Sequence, residues 1–102
     1  MIYKVKAKYN KETAKEFFQK LSDGTIHDQH PDGAEIVSSM KRAKITAPGI
    51  IEWYEMCFCP TPLQHEKATV YNFYVSDLTT ARVDDYDKVE GESFWLYLNS
   101  LI

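Results

Sequence analysis

The sequence predicts an α+β domain in which helices cover one face of an antiparallel sheet. Residues 2–9 alternate lysine with apolar side chains, a period of two that is typical of a strand with one buried face. Apolar residues at helical spacing follow, and Pro48-Gly49 provides a turn between two later segments. With 102 residues, of which 44% are hydrophobic, we expect one domain over residues 1–102 with a single core.

Charge and composition argue against several classes of protein. The net charge is −3, from 12 lysine and arginine residues and 15 acidic ones, whereas a nucleic-acid-binding domain usually carries a basic patch. No run approaches the roughly 20 apolar residues of a membrane span, and the lysine-rich start lacks the apolar core of a signal peptide. Two cysteines are too few for a disulfide scaffold. We therefore expect a cytoplasmic protein that binds neither nucleic acid nor a membrane.

The first third of the chain predicts a strand, a helix and a loop. The wet face of the strand at residues 2–9 carries three lysines: Lys4, Lys6 and Lys8. Asn10 caps a helix that runs to about Leu21. The apolar stripe of this helix consists of Ala14, Phe17, Phe18 and Leu21. Asp23 and Gly24 end the helix, and turn-forming residues predict a loop over residues 24–33.

Residues 34–46 are compatible with either a helix or a strand. Asp32 and Glu35 form a capping-box pattern, and a helical face would follow from Ile36, Val37 and Met40. A strand is favoured by the turn at Pro48-Gly49, because a strand that enters this turn needs several residues to pair with the next strand. We therefore predict a strand from about Ile36 to Thr46, with its lysines and arginine protecting a sheet edge.

Residues 50–75 predict the most apolar strand of the chain and then a helix. The strand spans residues 50–58. The helix begins with Thr61 as its cap, proline at its first position and Gln64 three residues after the cap. Residues 70–75 have strand-like propensity, and we favour the helix over them because of the strength of its cap.

The end of the chain predicts one more strand and one more helix. The strand is expected at residues 79–86, with Ala81 and Val83 against the core. The helix begins at about Glu92 and presents an apolar stripe of Phe94, Trp95, Leu98 and Leu101.

The resulting element order, β-α-β-β-α-β with an extra C-terminal helix, resembles the ferredoxin-like plan. In that plan helices cover one face of an antiparallel sheet and leave the other face open. The chain is similar in element order to the dimeric α+β barrels, which pair through the open face. This resemblance implies a homodimer, for which Trp53 and Trp95 are the expected anchors. The resemblance transfers no catalytic residue to this chain. We expect no cofactor, because the chain has no glycine-rich phosphate loop and only four scattered glycines.

Alternation along the strands gathers a candidate ligand site on the open face. The site consists of Lys6, Trp53, Glu55, Cys57, Arg82 and Tyr86. Its cations could hold a small anionic ligand, its aromatic rings could stack on that ligand, and Glu55 could act as a base if burial raised its pKa. The alternative is a solvated surface on which Lys6 and Glu55 form an ordinary cross-strand pair.

The two cysteines suggest a metal site as a second possibility. Cys57 and Cys59 would share one side of an extended chain, and His65 would lie in the first turn of the next helix. A fourth ligand would come from His27, His30 or Glu66. In the alternative structure the two thiols pack as small apolar groups. A thiol nucleophile assisted by His65 has no accompanying signal for an oxyanion hole.

Three functions remain open from the sequence. The first is a self-associating module that binds a small molecule. The second is a cofactor-independent enzyme of the barrel type with Glu55 as its base, and the third is an interaction domain without a ligand.

Overall fold

A computed structural model describes all 102 residues as one antiparallel sheet with four helices. The strands are β1 (Ile2–Tyr9), β2 (Lys44–Ala47), β3 (Ile50–Met56), β4 (Val75–Val83) and β5 (Glu92–Ser93). The helices are α1 (Ala14–Ser22), α2 (Gly33–Arg42), α3 (Gln64–Glu66, continued by a π-helical Lys67–Tyr71 and by Asn72–Tyr74) and α4 (Phe94–Asn99). The order across the sheet is β4-β1-β3-β2-β5. No helix is both long and apolar enough to cross a membrane.

Strand β1 lies between β4 and β3, and its side chains define the two faces of the sheet. Tyr3, Val5 and Ala7 are buried, while the lysines between them are exposed. We call the side that carries Lys4, Lys6 and Lys8 the lysine face, and the opposite side the core face. On the core face a cluster of 22 buried residues packs against the helices. The strand predicted at residues 2–9 is confirmed.

Helix α1 and the loop after it are present, but the helix begins later than the predicted cap implies. The predicted stripe of four apolar residues is buried on one side of the helix. The predicted cap at Asn10 is wrong, because the helix begins at Ala14 with Thr13 directly before it. The side-chain oxygen of Asn10 instead accepts a hydrogen bond from the Glu12 amide at 2.8 Å, in the turn ahead of the helix. In the following loop only Ile26 is an apolar residue that reaches the core, and it is fully buried there. This side chain holds the loop against the helix layer.

The strand predicted at about residues 36–46 is wrong, because most of that stretch is helix α2. Ile36, Val37 and Met40 lie together on the buried side at helical spacing, and this packing prevails over the turn signal. Strand β2 begins only at Lys44, after Ala43 turns to extended backbone. Four residues are enough for β2 because it pairs with only the first part of β3.

The strand predicted at residues 79–86 lies earlier in the chain, as β4. Helix α3 begins only at Gln64, after the left-handed Leu63, so the predicted cap at Thr61 is wrong. The helix continues through Tyr74, as predicted, and Val75 starts the strand directly. Ala81 pairs with Lys4 and Val83 pairs with Ile2, so both lie on the lysine face and not against the core as expected. The last helix begins at Phe94, with the Ser93 hydroxyl accepting from the Leu96 amide.

Candidate functional site

The six residues of the predicted open-face site do not come together. Trp53 pairs with Val5 and Glu55 pairs with Tyr3, so both side chains point into the core, whereas Lys6 lies on the opposite side of the sheet. The predicted common face is therefore wrong. Its physical reason is the register between β1 and β3, because residues directly opposite each other in a ladder share a face.

The remaining three members of the set are also separated. Arg82 pairs with Tyr3 at the edge of the core face and is exposed. Tyr86 follows β4, and its hydroxyl lies 3.2 Å from a Glu35 oxygen on α2. Cys57 is buried just beyond the end of β3. Trp53 is fully buried, so it is not available as the exposed anchor of a subunit interface.

A cavity of about 420 Å³ lies where the end of β3 meets α2 and α3. Its walls combine thiols, carboxylates and apolar side chains, and no lysine or arginine lines it. The lining residues are Pro31, Asp32, Glu35, Met56, Cys57, Phe58, Cys59 and Glu66. We call this space the thiol–carboxylate cavity. Its volume lies in the range of known small-ligand pockets.

Three of the lining residues place their ligating atoms close together. The sulfur atoms of Cys57 and Cys59 and a carboxylate oxygen of Glu66 all lie within 4.8 Å of one another. The Cys59 thiol donates to Glu66 at 3.3 Å, and the Cys59 backbone amide donates to the Cys57 sulfur at 3.2 Å. Burial raises the pKa of the Cys57 thiol to about 12, which keeps it protonated at neutral pH in the absence of a cation.

Local backbone geometry creates this group of three. The Cys57 amide donates to the Met1 carbonyl at 2.8 Å, which ties the chain beyond β3 to the start of β1. Leu63 then adopts the left-handed conformation with φ 55°, directly before α3 begins. In α3, Glu66 shares the buried side with Leu63 and Val70, at spacings of three and four residues. The fold thus places the buried carboxylate of Glu66 beside the two cysteines.

His65, the third residue of the predicted metal set, lies outside this group of three. Its Nδ1 contacts an oxygen of Asp32 at 2.8 Å, across the start of α2. The sequence named Glu66 only as one possible fourth ligand. Its helical spacing from Leu63 and Val70 was the signal that could have ranked Glu66 above His65.

Glu35 is a functional candidate that the sequence pattern missed. One of its oxygens accepts from the Met56 amide at 2.9 Å, from the Arg42 guanidinium at 3.1 Å and from the Tyr86 hydroxyl. Arg42 also donates to the Tyr54 carbonyl at 2.8 Å. The sequence offered only a capping-box role for Glu35, since the strand edge it contacts is distant along the chain.

A second buried polar cluster consists of Glu55 and its hydrogen-bond donors Trp53 and Tyr71. One carboxylate oxygen accepts from the Trp53 indole at 2.8 Å and from the Tyr71 hydroxyl at 2.5 Å, while the other oxygen is buried without a partner. Burial raises the pKa of Glu55 to about 8, against the two hydrogen bonds that favour its ionised form. The π-helical turn Lys67–Tyr71 includes the tyrosine that reaches Glu55. Glu55 does not line the thiol–carboxylate cavity.

Comparison with known proteins gives no relative for this chain. No protein-family model matches it, and no match is found among curated proteins or among solved structures. The geometry of this chain is therefore the basis on which its function can be inferred.

Proposed function

We propose that this domain is a binding module that takes a small cationic ligand in the thiol–carboxylate cavity. The observation that carries the proposal is the chemistry of the walls: Asp32 and Glu66 supply carboxylates, and no lysine or arginine lines the cavity. Glu35 adds a third carboxylate, one oxygen of which is already paired with Arg42. A small number of polar groups that converge in a mostly apolar pocket is typical of ligand sites. Carboxylates in such a place favour a positively charged or hydrogen-donating ligand.

The apolar part of the cavity supports a ligand larger than a hydrated ion. Pro31, Met56 and Phe58 contribute carbon surface, and the Phe58 ring is 84% exposed. An aromatic ring so accessible at a cavity wall can close over a bound cation, since cations are attracted to ring faces.

A cationic ligand replaces the anionic ligand expected from the sequence. That expectation depended on Lys6 and Arg82, neither of which lines the cavity. The enzyme alternative depended on Glu55 as a base, and the buried position of Glu55 gives this alternative no support.

We also propose that the sheet follows the ferredoxin-like plan and that the chain self-associates. The order β4-β1-β3-β2 supports the plan, with β5 as an added edge strand. Exposed Phe58, Phe73 and Leu96 support self-association, because large apolar side chains on a surface favour contact with another protein. The free thiols of Cys57 and Cys59 support the predicted cytoplasmic location, where thiols stay reduced.

Native mass spectrometry followed by a matched fragment screen tests these proposals. The intact spectrum reports the subunit number and any retained ligand. Ligand-observed NMR then compares small amines with carboxylates of the same shape. We expect the amines to bind, and Glu66→Gln to weaken them about tenfold through loss of a charge-assisted hydrogen bond.

The control variant is Glu12→Gln, which removes an equal charge from an exposed position away from the cavity. We expect it to bind the amines as the wild type does. Equal binding of amines and carboxylates, or equal loss in both variants, would contradict the cationic site.

A further inference from the structure

We propose that Cys57, Cys59 and Glu66 form a binding site for a thiophilic divalent cation of the Zn²⁺ type. The inference rests on the proposed function, because it uses the same cavity and names the class of cation that its inner polar group takes. Two sulfur atoms and one carboxylate oxygen within 4.8 Å of one another are its geometric basis.

The spacing of the three atoms is close to what zinc requires. Zinc lies about 2.3 Å from thiolate sulfur and about 2.0–2.2 Å from carboxylate oxygen, so tetrahedral ligands lie roughly 3.5–3.8 Å apart. The three atoms, which lie within 4.8 Å of one another, would approach to that separation on binding. Cys59 and Glu66 are already in contact at 3.3 Å.

The choice of cation follows from the ligand atoms. Thiolates are soft ligands that select zinc and similar ions, whereas Mg²⁺ and Ca²⁺ prefer oxygen ligands throughout. On binding, each thiol S–H bond breaks and its proton passes to solvent, without a change of oxidation state. Two thiolates and one carboxylate then hold the dication.

The surroundings provide a second shell and an open position. The Cys59 amide already donates to the Cys57 sulfur at 3.2 Å, a hydrogen bond that stabilises a thiolate. Asp32 lines the same cavity and has a buried oxygen without a hydrogen-bond partner. Three protein ligands beside a cavity leave the fourth position for a water molecule or a small ligand.

Cobalt titration of the full chain under reducing conditions tests the site, because Co²⁺ in tetrahedral sulfur coordination gives visible charge-transfer and ligand-field bands. We expect one Co²⁺ per chain with thiolate bands, complete displacement by Zn²⁺ and no displacement by Mg²⁺. Cys57→Ser and Cys59→Ser should each weaken Co²⁺ at least tenfold. His65→Gln, next to Glu66 but outside the group, should bind Co²⁺ within about twofold of the wild type.

A second measurement uses the wild-type protein alone, so its result does not depend on whether the variants fold. In the wild-type protein, Zn²⁺ should slow alkylation of both cysteines by iodoacetamide at least tenfold, and Mg²⁺ should not. Absence of thiolate bands together with unprotected cysteines would overturn the site. Cobalt bands that persist after both serine substitutions would overturn it as well.

The outcomes also separate this inference from the proposed function. Amine binding without any thiolate band overturns the metal site and leaves the cavity as a ligand site. If the wild-type protein binds neither amines nor cobalt, both proposals are overturned. Cobalt binding without amine binding supports the metal site and limits the ligand to the ion itself.

Discussion

Glu55 illustrates at the scale of one residue how burial outweighs hydrogen bonding. Two donors, the Trp53 indole and the Tyr71 hydroxyl, favour its ionised form. No cation lies within salt-bridge distance of it, and its second oxygen has no partner. Because removal from water is the larger effect, the pKa of Glu55 rises to about 8 and the carboxyl keeps its proton at neutral pH.

This raised pKa gives a stability that depends on pH. The unfolded chain releases the Glu55 proton near its ordinary pKa of about 4.3, whereas the folded chain holds it to about pH 8. Between those values the folded state binds more protons, so Glu55 lowers the free energy of unfolding as pH rises, by at most about 1.4 kcal/mol per pH unit. Below about pH 4 Glu55 is protonated in both states and does not change the free energy of unfolding. Above about pH 8 it is ionised in both states, and the free energy of unfolding falls no further.

We expect Glu55→Gln to flatten this dependence. The amide keeps an acceptor for Trp53 and Tyr71 but carries no titrating proton, so the variant should gain stability relative to the wild type as pH rises from 5 to 8. Urea unfolding at several pH values measures the difference. Glu12→Gln, at an exposed position, should follow the wild-type curve. A constant difference between Glu55→Gln and the wild type across this range would show that Glu55 does not titrate there.

At the scale of elements, helix α2 completes the edge of strand β3. Strand β2 pairs with β3 only as far as Glu52, which leaves the backbone at Tyr54 and Met56 without a strand partner on that side. Glu35 and Arg42, seven residues apart on one side of α2, bind the Met56 amide and the Tyr54 carbonyl. Side chains thus satisfy backbone groups that a longer β2 would otherwise pair.

Removal of the Glu35 carboxylate should leave the Met56 amide at the edge of β3 without its hydrogen-bond acceptor. We expect Glu35→Ala to speed hydrogen exchange at the Met56 amide by about tenfold or more, since a hydrogen bond to a charged group contributes about 1.5–3 kcal/mol. Glu35→Gln retains an acceptor and should restore most of the protection. The Val5 amide in the inner strand β1 is the internal reference, and its exchange rate should change little. Equal acceleration at both amides would indicate general loss of stability instead.

At the scale of the whole molecule, the sheet separates two unlike surfaces. Helices bury the core face, including Trp53, while the lysine face carries ion pairs such as Lys4–Glu52 at 3.7 Å. Trp95 lies in the helix layer, where its ring and that of Phe18 meet edge to face and Lys41 lies over its ring at 5.3 Å. Trp53 is therefore fully buried, whereas Trp95 is only partly buried.

Tryptophan fluorescence can check this layering. In Trp95→Phe the remaining Trp53 is fully buried, so we expect blue-shifted emission, weak quenching by iodide and a large red shift on unfolding. The substitution retains an aromatic ring beside Phe18 and should leave the fold intact, which circular dichroism verifies. Native emission at the wavelength of the unfolded chain would place Trp53 at a surface and contradict the core described above.

Short-range patterns in the sequence determined part of the fold. The lysine alternation of β1 and the apolar stripe of α1 each act within a few residues, and both predicted elements are present. The helix predicted after Thr61 is also present, but it begins at Gln64 and Thr61 is not its cap. Residues 34–46 mark the limit of this reasoning. The stretch holds a capping-box pattern and a turn signal at once, and only packing of Ile36 and Met40 against the core decides for the helix.

The sides of β3 and the candidate site were decided by tertiary structure. Both sides of β3 carry apolar residues, so the polar Glu55 was expected to face water. Its register with β1 places it in the core, where Trp53 and the distant Tyr71 supply its hydrogen bonds. The thiol–carboxylate cavity likewise depends on the position of α3, which brings Glu66 to the cysteines. Local periodicity sets the form of each element, but long-range pairing and packing determine which side chains meet.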